Sequence, residues 1–225
     1  MQRRALLIVP AACAGLALAS WARAAALSEG DAASGIRAAL ERGAAVAIDG
    51  LGRKDGFLGN AAVRIELPGY LKDGANLLKM TGQGKQVDEL VTAMNRAAEA
   101  AVPAAKPLLL AAIKSMSVED GLRILQGGDD AATQFFAGKT REPLAQKFLP
   151  IVTQATDRVA LADKYNAVAG KAAGLGLIRG QDANIQQYVT GRALDGLFLM
   201  IAEEERKIRK DPVGTGSALL KKVFG

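Results

Sequence analysis

Histidine is absent from all 225 residues, and there is one cysteine, Cys13. These absences exclude a large block of chemistry. Ser–His and Cys–His catalysis need an imidazole base, and zinc sites with nitrogen or sulfur ligands need histidine or cysteine. One cysteine cannot form a disulfide within the chain. Aromatic residues make up only 4%, whereas 44 residues are alanine. Alanine is the best helix former, and strands prefer β-branched and aromatic side chains, so the composition points to helix over sheet. Half of the chain is hydrophobic and 23% is charged, which suits a folded domain and not a disordered one.

The one long apolar run lies at the N-terminus, in MQRRALLIVPAACAGLALASWARAAA. Arg3 and Arg4 form a positive start, and Ala5 to Ala19 form an apolar stretch of signal-peptide length. The stretch is shorter than the ~20 residues a spanning helix needs, and it contains Pro10. Ala22-Arg23-Ala24 and Ala24-Ala25-Ala26 both fit the A-x-A cleavage rule, so the sequence predicts a signal peptide over 1–24, with cleavage after 24 or 26. The expected location is periplasmic. The arginine pair faintly resembles a twin-arginine signal. Cleavage removes Arg3, Arg4 and Arg23 and leaves 26 basic against 23 acidic residues, a net charge of about +3 instead of +6. Much of the basicity is therefore an address, and no nucleic-acid partner is expected.

Along the remaining chain the apolar spacing is helical almost throughout. Ser28-Glu29-Gly30-Asp31 reads as a helix start, with Ile36, Leu40, Ala44, Ala47 and Ile48 forming a stripe to about Asp49. The glycine-dense GLGRKDGFLGN must be a loop. Val63, Ile65 and Leu67 alternate with Arg64 and Glu66, which predicts one short β element or a packed extended loop at 63–67. Helices follow over 70–80, 86–102 and 108–116. Ser117-Val118-Glu119-Asp120 starts another. Thr140 with Pro143 reads as the start of a further helix. The longest helical pattern covers 182–210, and its stretch Leu194 to Ala202 is apolar nearly all round, as in a central buried helix. A short amphipathic tail, 213–225, closes the chain. Residues 25–225 thus read as one all-α domain of about seven to nine helices.

Several segments together resemble a known family: DGFLGNAAVRIELP, MNRAAEAAVPAAKP, GGDDAATQFF, KFLPIV and ALDGLFLMIAEEERKIRKDPVGTGSALLKKVFG. They resemble the bacterial envelope proteins grouped as domain of unknown function 4197, over about 27–225. The resemblance implies a mostly helical exported protein. It implies no particular activity and carries over no catalytic residue.

Two polar clusters stand out as candidate ligand-binding residues. Asn95, Arg96 and Glu99 lie beside the apolar stripe of their helix, and Glu99 sits among alanines. Such a carboxylate could do acid–base work, or it could form a stabilising i, i+3 pair with Arg96. Arg192 and Asp195 stand in the apolar helix at the same spacing, as a structural ion pair or a polar pocket wall. Glu203 to Lys210 offers i, i+4 pairs Glu203–Lys207 and Glu205–Arg209, expected on a solvated face. The glycine-rich loops fit neither G-x-G-x-x-G nor G-x-x-x-x-G-K-[ST], and no serine lies in G-x-S-x-G. No cofactor, metal site or catalytic residue is expected. The reading is a non-catalytic envelope protein that binds a protein partner or a small apolar ligand. The alternatives are an enzyme using carboxylate or Ser/Lys chemistry and a purely structural protein. The tail, with Lys221 and Lys222 among apolar residues, also allows peripheral membrane contact.

Overall fold

Alanine on helix faces lets backbones approach closely, and the fold is built on that property. The computed structural model describes residues 29–157, 160–174, 176 and 184–211. The expected signal peptide and the tail lie outside the described residues. Eight α-helices are described: α1 (Glu29–Gly52), α2 (Gly69–Leu78), α3 (Gly84–Ala101), α4 (Lys106–Lys114), α5 (Val118–Gln126), α6 (Ala131–Thr156), α7 (Ala160–Gly174) and α8 (Ile185–Lys210). A π-helical turn joins α2 to α3, with Gly82 at φ 83°, and a 3₁₀ turn joins α3 to α4. The protein is all-α, and no strand occurs among the described residues.

Helix α3 is covered on most of its circumference. Ala97, Ala98 and Ala101 are fully buried, so α1, α6 and α8 can all pack against it. Helix α6 buries Ala132, Phe136, Thr140, Leu144, Phe148, Val152 and Thr156. A residue every four positions keeps one stripe on the core. Helix α8 runs antiparallel to α6, since Glu205 meets Ala132 and Asp195 meets Arg141. Pro103 and Pro107 fall at the first positions of the 3₁₀ turn and of α4, where a missing N–H costs no helical bond.

Two expectations need correction, and one open alternative is decided. Thr140 starts no helix: α6 is continuous from 131 to 156, and the Thr140 hydroxyl returns to the Phe136 carbonyl at 2.6 Å. The run 63–67 makes no ladder and is the packed extended loop. Finally, α8 is not enclosed all round. Arg192, Asp195 and Leu199 lie on a solvent-facing arc, and Leu199 is 39% exposed. The helices packed on α8 (α1, α3, α6 and α7) leave that arc open.

Candidate functional site

The segment between α1 and α2, residues 53–68, is where the polar residues converge. It leaves α1 through turns closed by the Gly56 N–H to the Arg53 carbonyl and the Gly59 N–H to the Asp55 carbonyl. Asp55 takes φ 65°, a left-handed conformation that aspartate tolerates better than most residues. Gly56 is required by space, because a Cβ there would sit 2.3 Å from the Leu51 carbonyl oxygen. These turns drive the Phe57 ring into the core, where it is fully buried.

Helix α3 fastens the segment from below. Glu99, 5% exposed, accepts the Phe57 and Leu58 N–H groups on Oε1, each at 3.1 Å. Its Oε2 accepts from Arg96 at 2.6 Å, and the same guanidinium donates to Asp55 at 2.7 Å. Hydrogen bonds to Glu99 first and to Asp55 second hold the Arg96 pKa above its ordinary value. One turn earlier, Asn95 is fully buried and pairs with Ile65 as a neighbouring strand would. Its Oδ1 accepts the Ile65 N–H at 2.8 Å, and its Nδ2 donates to the Ile65 carbonyl at 2.9 Å and to Val91 at 2.8 Å. This explains alternation without a sheet: Val63 and Ile65 turn inward, Arg64 and Glu66 outward, and one side chain replaces the partner strand.

Helix α8 closes the other side. A Cβ on Gly196 would lie 2.7 Å from the Phe57 ring and 3.2 Å from Val63, so glycine permits the approach. The Tyr188 hydroxyl donates to the Glu66 carbonyl at 2.8 Å. Asp195 accepts from Arg141 of α6 at 2.6 Å and lies 3.8 Å from Arg192. Between α8 and residues 62–65 runs an open groove of about 210 Å³, lined by Val63, Arg64, Ile65, Arg192, Asp195 and Leu199 among others.

All five residues singled out from the sequence therefore meet one segment from two sides. Asn95, Arg96 and Glu99 are turned into its underside; Arg192 and Asp195 edge the groove on its open side. The Arg192 and Asp195 side chains are half exposed and not enclosed by the apolar run. Both oxygens of Glu99 are engaged, and no group of three or more potential metal ligands occurs among the described residues.

Sequence reasoning missed a second buried carboxylate. Glu205 accepts the Ala132 and Thr133 N–H groups and the Thr133 hydroxyl, each at 2.9 Å, and pairs with Arg209 at 2.8 Å. The expected Glu205–Arg209 pair is present but buried, not on a solvated face. Lys207 pairs with Glu204 instead of Glu203. Helical spacing gave the pairing and could not give the distant helix end that Glu205 caps. Leu199 was missed as well, because the reading buried the whole 194–202 run; the signal that could have found it is its place one turn after Asp195, on the arc that carries the charges.

Fold and site together define a small all-α domain in which buried Asn95 and Glu99 hold one irregular segment and buried Glu205 holds one helix start. The chain belongs to the family described as protein of unknown function, DUF4197, whose model matches residues 26–225. No curated protein and no solved structure matches the chain.

Proposed function

We propose that the protein is exported to the periplasm, with cleavage after residue 24 or 26, and acts there as a non-catalytic binding protein that engages a protein partner. The observation that carries this reading is Leu199. A large apolar side chain stands 39% exposed on the charged arc of α8, at the edge of the groove. The groove, at about 210 Å³, is open and lies below the ~300–1,000 Å³ usual for small-molecule pockets. That favours a partner's side chains over an enclosed apolar ligand. Arg64, Arg141 and Arg192 outnumber Asp195 and Glu66 around it, which favours a partner segment presenting an apolar side chain beside a carboxylate. Carboxylate catalysis gains no support, because Glu99 and Asp195 are both closed in ion pairs.

The test is native mass spectrometry of the protein purified from its own envelope fraction, beside Leu199→Asp and Arg64→Glu variants. A retained protein mass that is lost in both variants, at unchanged melting temperature, is the expected result. A bound mass indifferent to both substitutions, or a small-molecule adduct alone, would sink the reading. The same spectra give the mature N-terminus, expected at Ala25 or Leu27; a chain that keeps Arg3 and Arg4 would end the export proposal.

A further inference from the structure

A second groove lies at the other end of the α6–α8 pair, between α5 and the start of α6. It measures about 340 Å³ and is lined by Asp120, Arg123, Ile124, Asp130, Gln134 and Phe135 among others. That is room for more than one apolar side chain. Its floor is apolar at Ile124 and Phe135, and its rim carries Asp120 and Asp130 beside Arg123, with Lys139 6.0 Å from the Phe135 ring. Its position relative to the chain is informative. Arg209, in the last turn of α8, donates to the Ile124 carbonyl at 2.7 Å, so α8 ends on the rim of this groove. Two residues later the chain leaves the helix axis: Asp211 has φ −137° and ψ 75°, and Pro212 follows it, which disfavours a helical Asp211.

The fourteen residues beyond, PVGTGSALLKKVFG, supply apolar side chains for that floor. Leu219, Leu220, Val223 and Phe224 are apolar, Lys221 and Lys222 are basic, and no acidic side chain is present. Reach is no obstacle, since fourteen residues span up to about 45 Å. A segment this short cannot enclose its own apolar side chains and gains from burying them against the domain. We propose that the groove between α5 and α6 is the docking site of the chain's own C-terminal segment, 213–225, with Val223 and Phe224 over Ile124 and Phe135 and the two lysines toward Asp120 and Asp130.

Site-directed cross-linking tests this on the chain that begins at Ala25, which has no cysteine of its own. One variant carries Gln134→Cys with Val223→Cys. A control carries Ala62→Cys with Val223→Cys, beside the other groove. Under oxidised glutathione the first pair should form an intramolecular disulfide about tenfold or more faster than the control, because docking raises the local thiol concentration. Hydrogen exchange supplies an independent readout: deleting 213–225 should speed exchange of amides in 124–135 and leave those of α3 unchanged. Equal rates for the two pairs, or a disulfide formed mainly between two chains, would overturn the proposal. So would unchanged exchange on deletion, including the case in which the deletion abolishes only binding to vesicles of anionic lipid, which would make the segment a membrane hook.

Discussion

Helices α5 and α6 start one after the other, yet they satisfy their first amides in opposite ways. Helix α5 is capped from its own sequence. The Ser117 hydroxyl accepts the Asp120 N–H and the Asp120 carboxylate accepts the Ser117 N–H, each at 3.1 Å, all within four residues and facing water. Helix α6 has Asp130 at the corresponding position, and that side chain caps nothing. Its second and third amides go instead to Glu205, a residue 72 to 73 positions away that is 6% exposed. A local cap stabilises one helix wherever it goes. A cap borrowed from α8 forms only when α6 and α8 dock, so it ties a secondary-structure boundary to the tertiary fold.

The largest expected effect breaks the borrowed cap. Glu205→Gln removes the charge opposite Arg209, whose side chain is only 13% exposed. Leaving a buried charge uncompensated costs about 3–5 kcal/mol. Glu99→Gln is the sharper comparison, because Glu99 also takes two consecutive backbone amides and one arginine. Its arginine is one-third exposed and keeps Asp55, so the loss should stay near the about 1–3 kcal/mol of an unsatisfied buried group. Denaturant unfolding of the two variants checks the order. If Glu99→Gln cost as much as Glu205→Gln, solvent access of the arginine would not be what separates them.

The same contrast marks what could be read from the sequence. Helix α5 was legible because its S-x-x-D signal and its effect occupy the same four residues. The all-α class was legible because spacing and alanine content act locally. The Asn95, Arg96 and Glu99 cluster was visible as a cluster, but its targets, Ile65 and Phe57, lie 30 and 42 residues away. Glu205 looked solvated because its partner Arg209 satisfied it on paper. Thr140 and Pro143 failed in the reverse direction: the pattern of a helix start was present, yet packing of Phe136, Leu144 and Phe148 on the core carried α6 straight through it. Local grammar lost wherever a distant surface supplied the deciding energy.

A smaller effect sharpens the local side of the comparison. Ser117→Ala deletes one exposed capping bond and should cost about 1 kcal/mol. Because the cap serves α5 alone, exchange should quicken at the amides of α5's first turn and stay unchanged at Ala132 and Thr133. Thermal melts together with hydrogen exchange separate a local loss from a global one. Loss of protection at the start of α6 would show that the two helix starts are coupled after all.

The smallest effect is a matter of sign. Glu119, in the first turn of α5, is held below its usual carboxylate value of 4.5, first by its own backbone N–H and then by the Ser117 hydroxyl. A carboxylate whose folded pKa is depressed adds stability above its unfolded pKa, and that stability is lost as pH falls through the folded value. Negative charge at a helix N-terminus acts in the same direction. Glu119→Gln should therefore melt slightly below wild type at pH 7, and the gap should close as pH falls below 4.5. Because Glu119 faces solvent, salt should shrink the gap as well. Circular-dichroism melts of both proteins across this range, at low and high salt, decide the point. A gap that stayed constant with pH, or widened in acid, would mean that the Glu119 charge contributes nothing to the start of α5 and that Ser117 and Asp120 carry the cap alone.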